Sequence, residues 1–226
     1  MDSTNWERIV EWDIETWKRA FEFWENSVDW THVEYALEIG ARNGGPSLWL
    51  AEKGIEVDCT DRKEIFSTAQ PRFLDGGGIG QVNFFNLDVM ELDEFEKYDL
   101  IVSKSVLGGL GGFGKPEKIS EALNRISKAL KPGGYFLFAE NLVSSPIHQY
   151  LRKKTQRWWA EWHYLKVEEM EQLCSIFSEH QLFTTGFFAT LGRNEQQRKA
   201  LGKLDDMIQP FIPRSWNYLG YGWARK

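Results

Sequence analysis

Apolar residues recur along the chain with two periods, and the places where one gives way to the other divide it into elements. Between residues 3 and 26, Trp6, Ile9, Val10, Ile14, Trp17, Phe21 and Trp24 keep helical spacing, while Glu7, Glu11, Glu15 and Lys18 are available for the wet side. That pattern predicts one or two amphipathic helices. Short apolar runs bounded by turn residues come next: Ala36–Gly40, Glu56–Thr60 ending at Asp61, Val82–Asn86, Tyr98–Ser103 and Tyr135–Ala139. These read as five strands. Helices are expected between them over Gly45–Lys53, residues 62–74 and Pro116–Leu130, with Gly54 as a stop and Pro116 in a first turn. Strands alternating with helices in this order predict an α/β fold with a doubly wound sheet.

After the fifth strand, residues 143–165 are the least regular part of the chain. Val167–His180 is an amphipathic helix, Leu182–Leu191 is strand-like, residues 193–209 are polar and helical, and Trp216–Ala224 is a last aromatic strand. No repeat, low-complexity tract or linker divides the chain. It is therefore read as one domain over 1–226, with a helical cap over 1–33 and a substrate-side insertion over 143–166.

Composition narrows the classes. A hydrophobic share of 42% beside 27% charged residues is ordinary for a soluble globular protein. A net charge of −6 argues against a general nucleic-acid binder, and no nucleic-acid partner is expected. Cys59 and Cys174 lack metal-type spacing, which makes a reduced interior the default. No run approaches the ~20 apolar residues of a membrane span, and the polar start, Met1-Asp2-Ser3-Thr4, lacks a signal pattern. A cytoplasmic location is expected. Eleven tryptophans are unusual. Trp6, Trp12, Trp17, Trp24, Trp30 and Trp49 fall in the first quarter, and Trp158, Trp159 and Trp162 form a second group. Aromatics of this kind are core filler unless they reach the ligand end of the sheet, where they make platforms for sugars and flat ligands.

The most informative joint lies at the end of the first strand, Leu37-Glu38-Ile39-Gly40-Ala41-Arg42-Asn43-Gly44-Gly45. A parallel strand running through a glycine turn into a helix aims free N–H groups and the positive helix end at whatever lies above. Gly40 and Gly44 let the chain bend and let a ligand approach the backbone. Such turns also occur with no ligand, so the neighbours decide. Asp61 lies 21 residues beyond Gly40. A spacing of about 20 suits a carboxylate at the next strand tip that accepts both ribose hydroxyls, and a helix N-cap is a compatible second role. Asp88, beside Leu87, Val89 and Met90, suits an adenine amino group with an apolar side chain on the ring; a plain turn residue is the alternative.

Two other glycine patterns are set aside. Gly109 through Lys115 matches most of a phosphate-binding loop, but Pro116 stands where a magnesium-binding Ser or Thr is required. Gly109-Leu110-Gly111-Gly112-Phe113-Gly114 matches a dinucleotide fingerprint with Glu140 ending the next strand, yet its first glycine comes six residues after Ser103. It reads as a mobile loop at the ligand end of strand four.

Taken together, Leu37-Glu38-Ile39-Gly40-x-x-x-Gly44, Asp61, Leu87-Asp88-Val89, Tyr98-Asp99-Leu100-Ile101 and Leu130-Lys131-Pro132-Gly133-Gly134 resemble the class I S-adenosylmethionine-dependent methyltransferases over roughly residues 34–226. The resemblance implies a Rossmann-like sheet of seven strands, mostly parallel, with helices on both faces and an antiparallel C-terminal strand. It implies S-adenosylmethionine as cofactor and S-adenosylhomocysteine as product. It also implies a cofactor site of Glu38, Gly40, Ala41, Gly44, Asp61, Arg62, Asp88, Val89 and Ser103. Within it the Glu38–Gly44 loop surrounds the methionine part, Asp61 takes the ribose and Asp88 the adenine. Arg42 departs from the family's middle glycine and is expected to turn outward.

The implied chemistry is an in-line displacement from a sulfonium carbon, so alignment and, for a hydroxyl acceptor, proton removal are the protein's tasks. His148 and His163, with Glu140 behind them, are the candidate bases; each also reads as a satisfied or surface polar residue. Arg152, Lys153, Lys154 and Arg157 suit a phosphate or carboxylate on the acceptor, or a solvated helix face. No metal site is evident. The expected acceptor is a small molecule or sugar, methylated on oxygen, in the manner of polysaccharide or secondary-metabolite enzymes. An Asn-Pro-Pro-Tyr type signature is absent after strand four, where Ser103-Lys104-Ser105-Val106 stands. The alternatives are a non-catalytic interaction subunit of the same fold and an NAD(P)-dependent oxidoreductase. Oligomeric state is not legible.

Overall fold

A computed structural model describes residues 3–63, 65, 67–74, 81–155 and 161–226. The N-terminal periodicity resolves into two helices, α1 (Ser3–Val10) and α2 (Ile14–Ser27). The break falls at residues 11–13, where Glu11 and Asp13 both hold left-handed backbone (φ 77° and 47°) that a continuous helix excludes. Then follow β1 (Tyr35–Ile39), α3 (Gly45–Ala51), β2 (Glu56–Asp61), α4 (Gln70–Leu74), β3 (Val82–Asn86) and β4 (Tyr98–Lys104). The remainder is α5 (Leu107–Leu110), α6 (Glu117–Ala129), β5 (Leu130–Asn141), α7 (Pro146–Thr155), α8 (Val167–Cys174), β6 (Glu179–Thr185), α9 (Glu195–Ile208) and β7 (Leu219–Arg225).

The strands form one sheet in the order β3-β2-β1-β4-β5-β7-β6. All pairs up to β5 are parallel, and β7 runs antiparallel to both β5 and β6. The order reverses between β1 and β4, where Ile39 pairs with Thr60 on one side and Ser103 on the other. A doubly wound sheet opens its ligand crevice at that reversal. Alternate residues of each strand feed two cores. Ala36, Val57, Leu100 and Val102 pack with α1, α2 and α3, while Leu37, Ile39, Ile101 and Phe138 pack with α6 and α8. Most of the first tryptophan group is filler: Trp24 and Trp49 are fully buried, 4.9 and 5.1 Å from Phe21.

Several boundaries differ from the expectation. The helix read over 62–74 starts at Gln70, because Pro71 tolerates only a first helical turn. The stretch read as irregular contains α7, and the stretch read as a mobile loop contains α5. α8 stops at Cys174, so His180 lies in β6. That strand ends at Thr185 because Gly186 turns left-handed (φ 82°) against Tyr218, whose Cε1 a Cβ there would meet at 2.5 Å. The Asp75–Gly80 loop, Arg157, Trp158 and Trp159 lie outside the described residues.

Candidate functional site

A cavity of about 640 Å³ opens over the carboxyl ends of the parallel strands. Its floor is the turn from β1 into α3, which needs left-handed backbone at Gly40 (φ 66°), Arg42 (φ 53°) and Gly44 (φ 71°). A Cβ at Gly40 would come within 2.6 Å of Val106, and one at Gly45 within 2.0 Å of the Ile9 carbonyl. The cap therefore rests directly on the turn. The Ala41 N–H donates to the Thr60 carbonyl (2.8 Å) and the Arg42 N–H to Asp61 Oδ2 (2.9 Å). Asp61 Oδ1 accepts from the Lys63 N–H (2.9 Å). Each carboxylate oxygen thus has one backbone donor fixing it and lone pairs left for others. Arg42 keeps the glycine conformation without being glycine, and its side chain is exposed at the rim.

On the next strand, Asp88 caps a single 3₁₀ turn through the Met90 N–H (3.0 Å), with Leu87 and Val89 beside it on the wall. Glu38 lies deeper and is buried. It accepts from the Ser47 N–H (2.7 Å) and hydroxyl (2.5 Å), tying β1 to the start of α3, and burial pushes its carboxyl up to about 8. Of the expected cofactor residues, Glu38, Gly40, Ala41, Asp61, Arg62, Asp88 and Val89 line the cavity. Gly44 shapes the turn from behind, against Phe73, Ala69 and Cys59. Ser103 is buried off the cavity wall.

The three expected catalytic residues lie off the wall. His148 is buried; its Nδ1 is 2.6 Å from Ser145 Oγ and its Nε2 2.7 Å from the Phe187 carbonyl, and burial lowers its pKa. His163 Nε2 is 2.7 Å from Glu169 at the start of α8. Glu140 is fully buried and accepts from the N–H groups of Val106 (2.7 Å) and Leu107 (2.9 Å), which fixes the entry of α5; desolvation raises its carboxyl to about 7. All three are positioned by structural partners. The glycine-rich stretch also has a structural explanation. A Cβ at Gly108 would sit 2.1 Å from Trp162 Nε1, and one at Gly112 2.0 Å from the Glu161 carbonyl, so these glycines admit the 161–163 segment against α5. The His163 N–H donates to the Gly108 carbonyl (2.9 Å).

What closes the other half of the cavity is read from the sequence only in part, Arg152 as a cation for the acceptor and the tryptophans as platforms. Trp12 and Trp17 come from the cap, Trp162 and Tyr164 from the insertion, and Lys104 and Asn141 from the ends of β4 and β5. Arg152 on α7 joins them, its Nη1 on the carbonyls of Leu142 (2.5 Å) and Val143 (3.1 Å) and its guanidinium 4.3 Å from the Tyr164 ring. The cap segment is held from outside: Glu195 accepts from the N–H groups of Asp13 (3.0 Å) and Ile14 (3.1 Å), and Arg198 stacks 4.7 Å over Trp12. Condensed tryptophan was the available signal, and three indoles do reach the ligand end.

The donor set fits an adenosyl ligand. Two carboxylates stand at adjacent strand tips with spare lone pairs, apolar side chains flank one of them, and glycine backbone lies beneath. The methyltransferase-domain family matches residues 37–136. The squalestatin tetraketide synthase of Phoma sp. (strain C2932) is 30% identical over 169 residues, 67% of this chain and 6% of that protein. The phosphoethanolamine N-methyltransferase 2 of Haemonchus contortus, solved with S-adenosyl-L-methionine, superposes with a TM-score of 0.64 at 17% identity, over 99% of this chain and 56% of that one. A SAM-dependent methyltransferase from Archaeoglobus fulgidus gives 0.63 at 14% identity, over 92% and 93%. The chain thus spans a small part of the first relative and about half of the second.

Proposed function

We propose that the chain, which carries a methyltransferase-domain match over residues 37–136 on a Rossmann-like sheet, is an S-adenosylmethionine-dependent methyltransferase and that it methylates a small organic acceptor, a sugar or another hydroxyl-bearing molecule, on oxygen. One observation carries this reading: Asp61 and Asp88, at the tips of neighbouring strands, share a cavity with the left-handed Gly40 turn. Bound there, the cofactor supplies an electrophilic methyl group on a sulfonium whose leaving thioether is neutral. The chain's work is then chiefly alignment. In this reading Asp61 accepts the ribose hydroxyls and Asp88 the adenine amino group, Leu87 and Val89 flank the ring, and Glu38, Gly40, Ala41 and Arg62 border the rest. Trp12, Trp17 and Trp162 present indole faces to the acceptor, which suits a sugar or flat ring. Asn141 and Tyr164, on the same wall, orient its hydroxyl.

Thermal melting with candidate ligands tests the cofactor half. S-adenosylhomocysteine should raise the midpoint and NAD should not; the reverse result would make the chain an oxidoreductase. Incubation of a sugar and nucleotide-sugar panel with methyl-deuterated S-adenosylmethionine tests the acceptor half, with one labelled methyl group expected in the product by mass spectrometry. Tight cofactor binding with no transfer to any such acceptor would favour an interaction subunit.

A further inference from the structure

Lys104 is the last residue of β4 and stands at the reversal of the sheet, beside the end of β1. It shares strand parity with Leu100 and Val102, so its side chain leaves the sheet on the face that carries the cap. Its Nζ donates to the Val10 carbonyl (2.8 Å) and lies 5.7 Å from the Trp17 ring. An ammonium has three donors, and the two nearest carboxylates have partners of their own: Glu11 pairs with Arg72, and Glu38 accepts from Ser47.

The remaining argument rests on the methyltransferase reading. With adenosine over β2 and β3, at Asp61 and Asp88, the rest of the cofactor would cross Gly40 toward β4. It ends in an α-amino acid, whose carboxylate requires cationic or N–H donors. Five cations line the cavity among the described residues: Arg42, Arg62, Lys63, Lys104 and Arg152. Arg62 and Lys63 follow Asp61 on the far side, and Arg42 is exposed at the rim. Arg152 is stacked on Tyr164 beyond β5 and bound to two carbonyls. Of these five cations, Lys104 is the one at the end of β4 beside β1.

We propose that Lys104 receives the α-carboxylate of the cofactor's methionine moiety, its ammonium joining that group to the Val10 carbonyl so that the cap is tied to the amino-acid end of the ligand. Burial, which lowers the pKa of Lys104, makes its ammonium gain more from such an anion than a solvated lysine would.

Titration calorimetry with three ligands tests this: S-adenosylhomocysteine, its decarboxylated analogue 5′-(3-aminopropylthio)-5′-deoxyadenosine, and 5′-methylthioadenosine. The wild-type protein should bind S-adenosylhomocysteine about 10-fold or more tighter than the analogue. Lys104→Met and Lys104→Gln should abolish that preference, weakening S-adenosylhomocysteine about 10- to 100-fold while both carboxylate-free ligands stay within about twofold. Equal weakening of all three would make Lys104 a strut between cap and strand and overturn the proposal, as would a wild-type protein with no preference. Failure of the wild type to bind any of the three would overturn the methyltransferase reading as well. Should neither variant fold, the wild type serves by itself. Glu11 of the α1–α2 connector, Glu38 of β1, Arg42 of the β1–α3 turn and Arg72 of α4 set the field at Lys104, and burial prevails over them to lower its pKa. The preference should therefore fade as pH rises, beginning below pH 10.5, the ordinary lysine value; a preference undiminished there would overturn the assignment.

Discussion

The two halves of the cavity are built differently. At the tips of β1, β2 and β3, bonds between near neighbours place the chemistry: the Arg42 N–H reaches Asp61 across 19 residues, and Asp88 is fixed by an N–H two residues on. At the tips of β4 and β5 the wall is assembled from distant pieces. Lys104 reaches Val10 across 94 residues, and Trp162 packs on α5 because Gly108 leaves room for it. Turn chemistry alone specifies the first half. The second exists only once the cap, α7 and the insertion have docked. On the proposed function, cofactor binding would then be a property of the sheet, and acceptor choice a property of what has been laid over it.

Breaking the first half should give the largest effect. Asp61→Ala removes the carboxylate proposed to accept two charge-assisted hydrogen bonds from ribose, each worth roughly 1.5–3 kcal/mol. Calorimetry should show S-adenosylhomocysteine affinity down by at least about 100-fold, about 2.7 kcal/mol. Its melting temperature should move little, since Asp61 is half-buried and its partners Arg42 N–H and Lys63 N–H are exposed. Unchanged affinity would remove the ribose assignment.

Breaking the second half should do the opposite. Gly108→Ala places a methyl 2.1 Å from Trp162 Nε1 and 2.8 Å from the His163 carbonyl. Overpacking of this kind costs about 1–3 kcal/mol, or about 2–4 °C of melting temperature per kcal/mol in a chain of this size. Affinity for S-adenosylhomocysteine should stay within about threefold while methyl transfer falls. An equal loss of cofactor affinity would mean that the two halves are one cooperative unit.

The same contrast explains what was legible in the sequence. The strands, the turn at Gly40, Asp61 and Asp88 were readable because short-range rules govern them. α7 was not, because its pattern is inverted: His148 and Arg152 are the buried residues, while Ile147 and Tyr150 are 60% and 57% exposed. A helix that turns polar groups inward gives no apolar stripe to find. Its histidine consequently looked available for proton transfer, when its two ring nitrogens face Ser145 and the Phe187 carbonyl. The glycines after β4 misled for a related reason. Glycine marks close approach as readily as movement, and which one applies depends on a segment some fifty residues downstream. Lys104 carried no local signal at all, since its partner is a backbone carbonyl in the cap.

The smallest expected effect sharpens the comparison most, because it concerns the one residue that departs from the local rule. Arg42 occupies left-handed backbone (φ 53°), at the position where the class that the sequence resembles has its middle glycine. That conformation costs a side-chain-bearing residue roughly 1–2 kcal/mol, whereas glycine gives back about 0.4–1 kcal/mol through a more disordered unfolded chain. Arg42→Gly should therefore raise stability by about 0–1.6 kcal/mol, measured by urea denaturation. Its N–H would still donate to Asp61, so cofactor affinity should change by less than about twofold. If the turn's backbone shape carries the binding, both results follow together. A large loss of affinity would instead place the Arg42 guanidinium among the ligand's contacts, and the first half of the cavity would no longer be specified by turn chemistry alone.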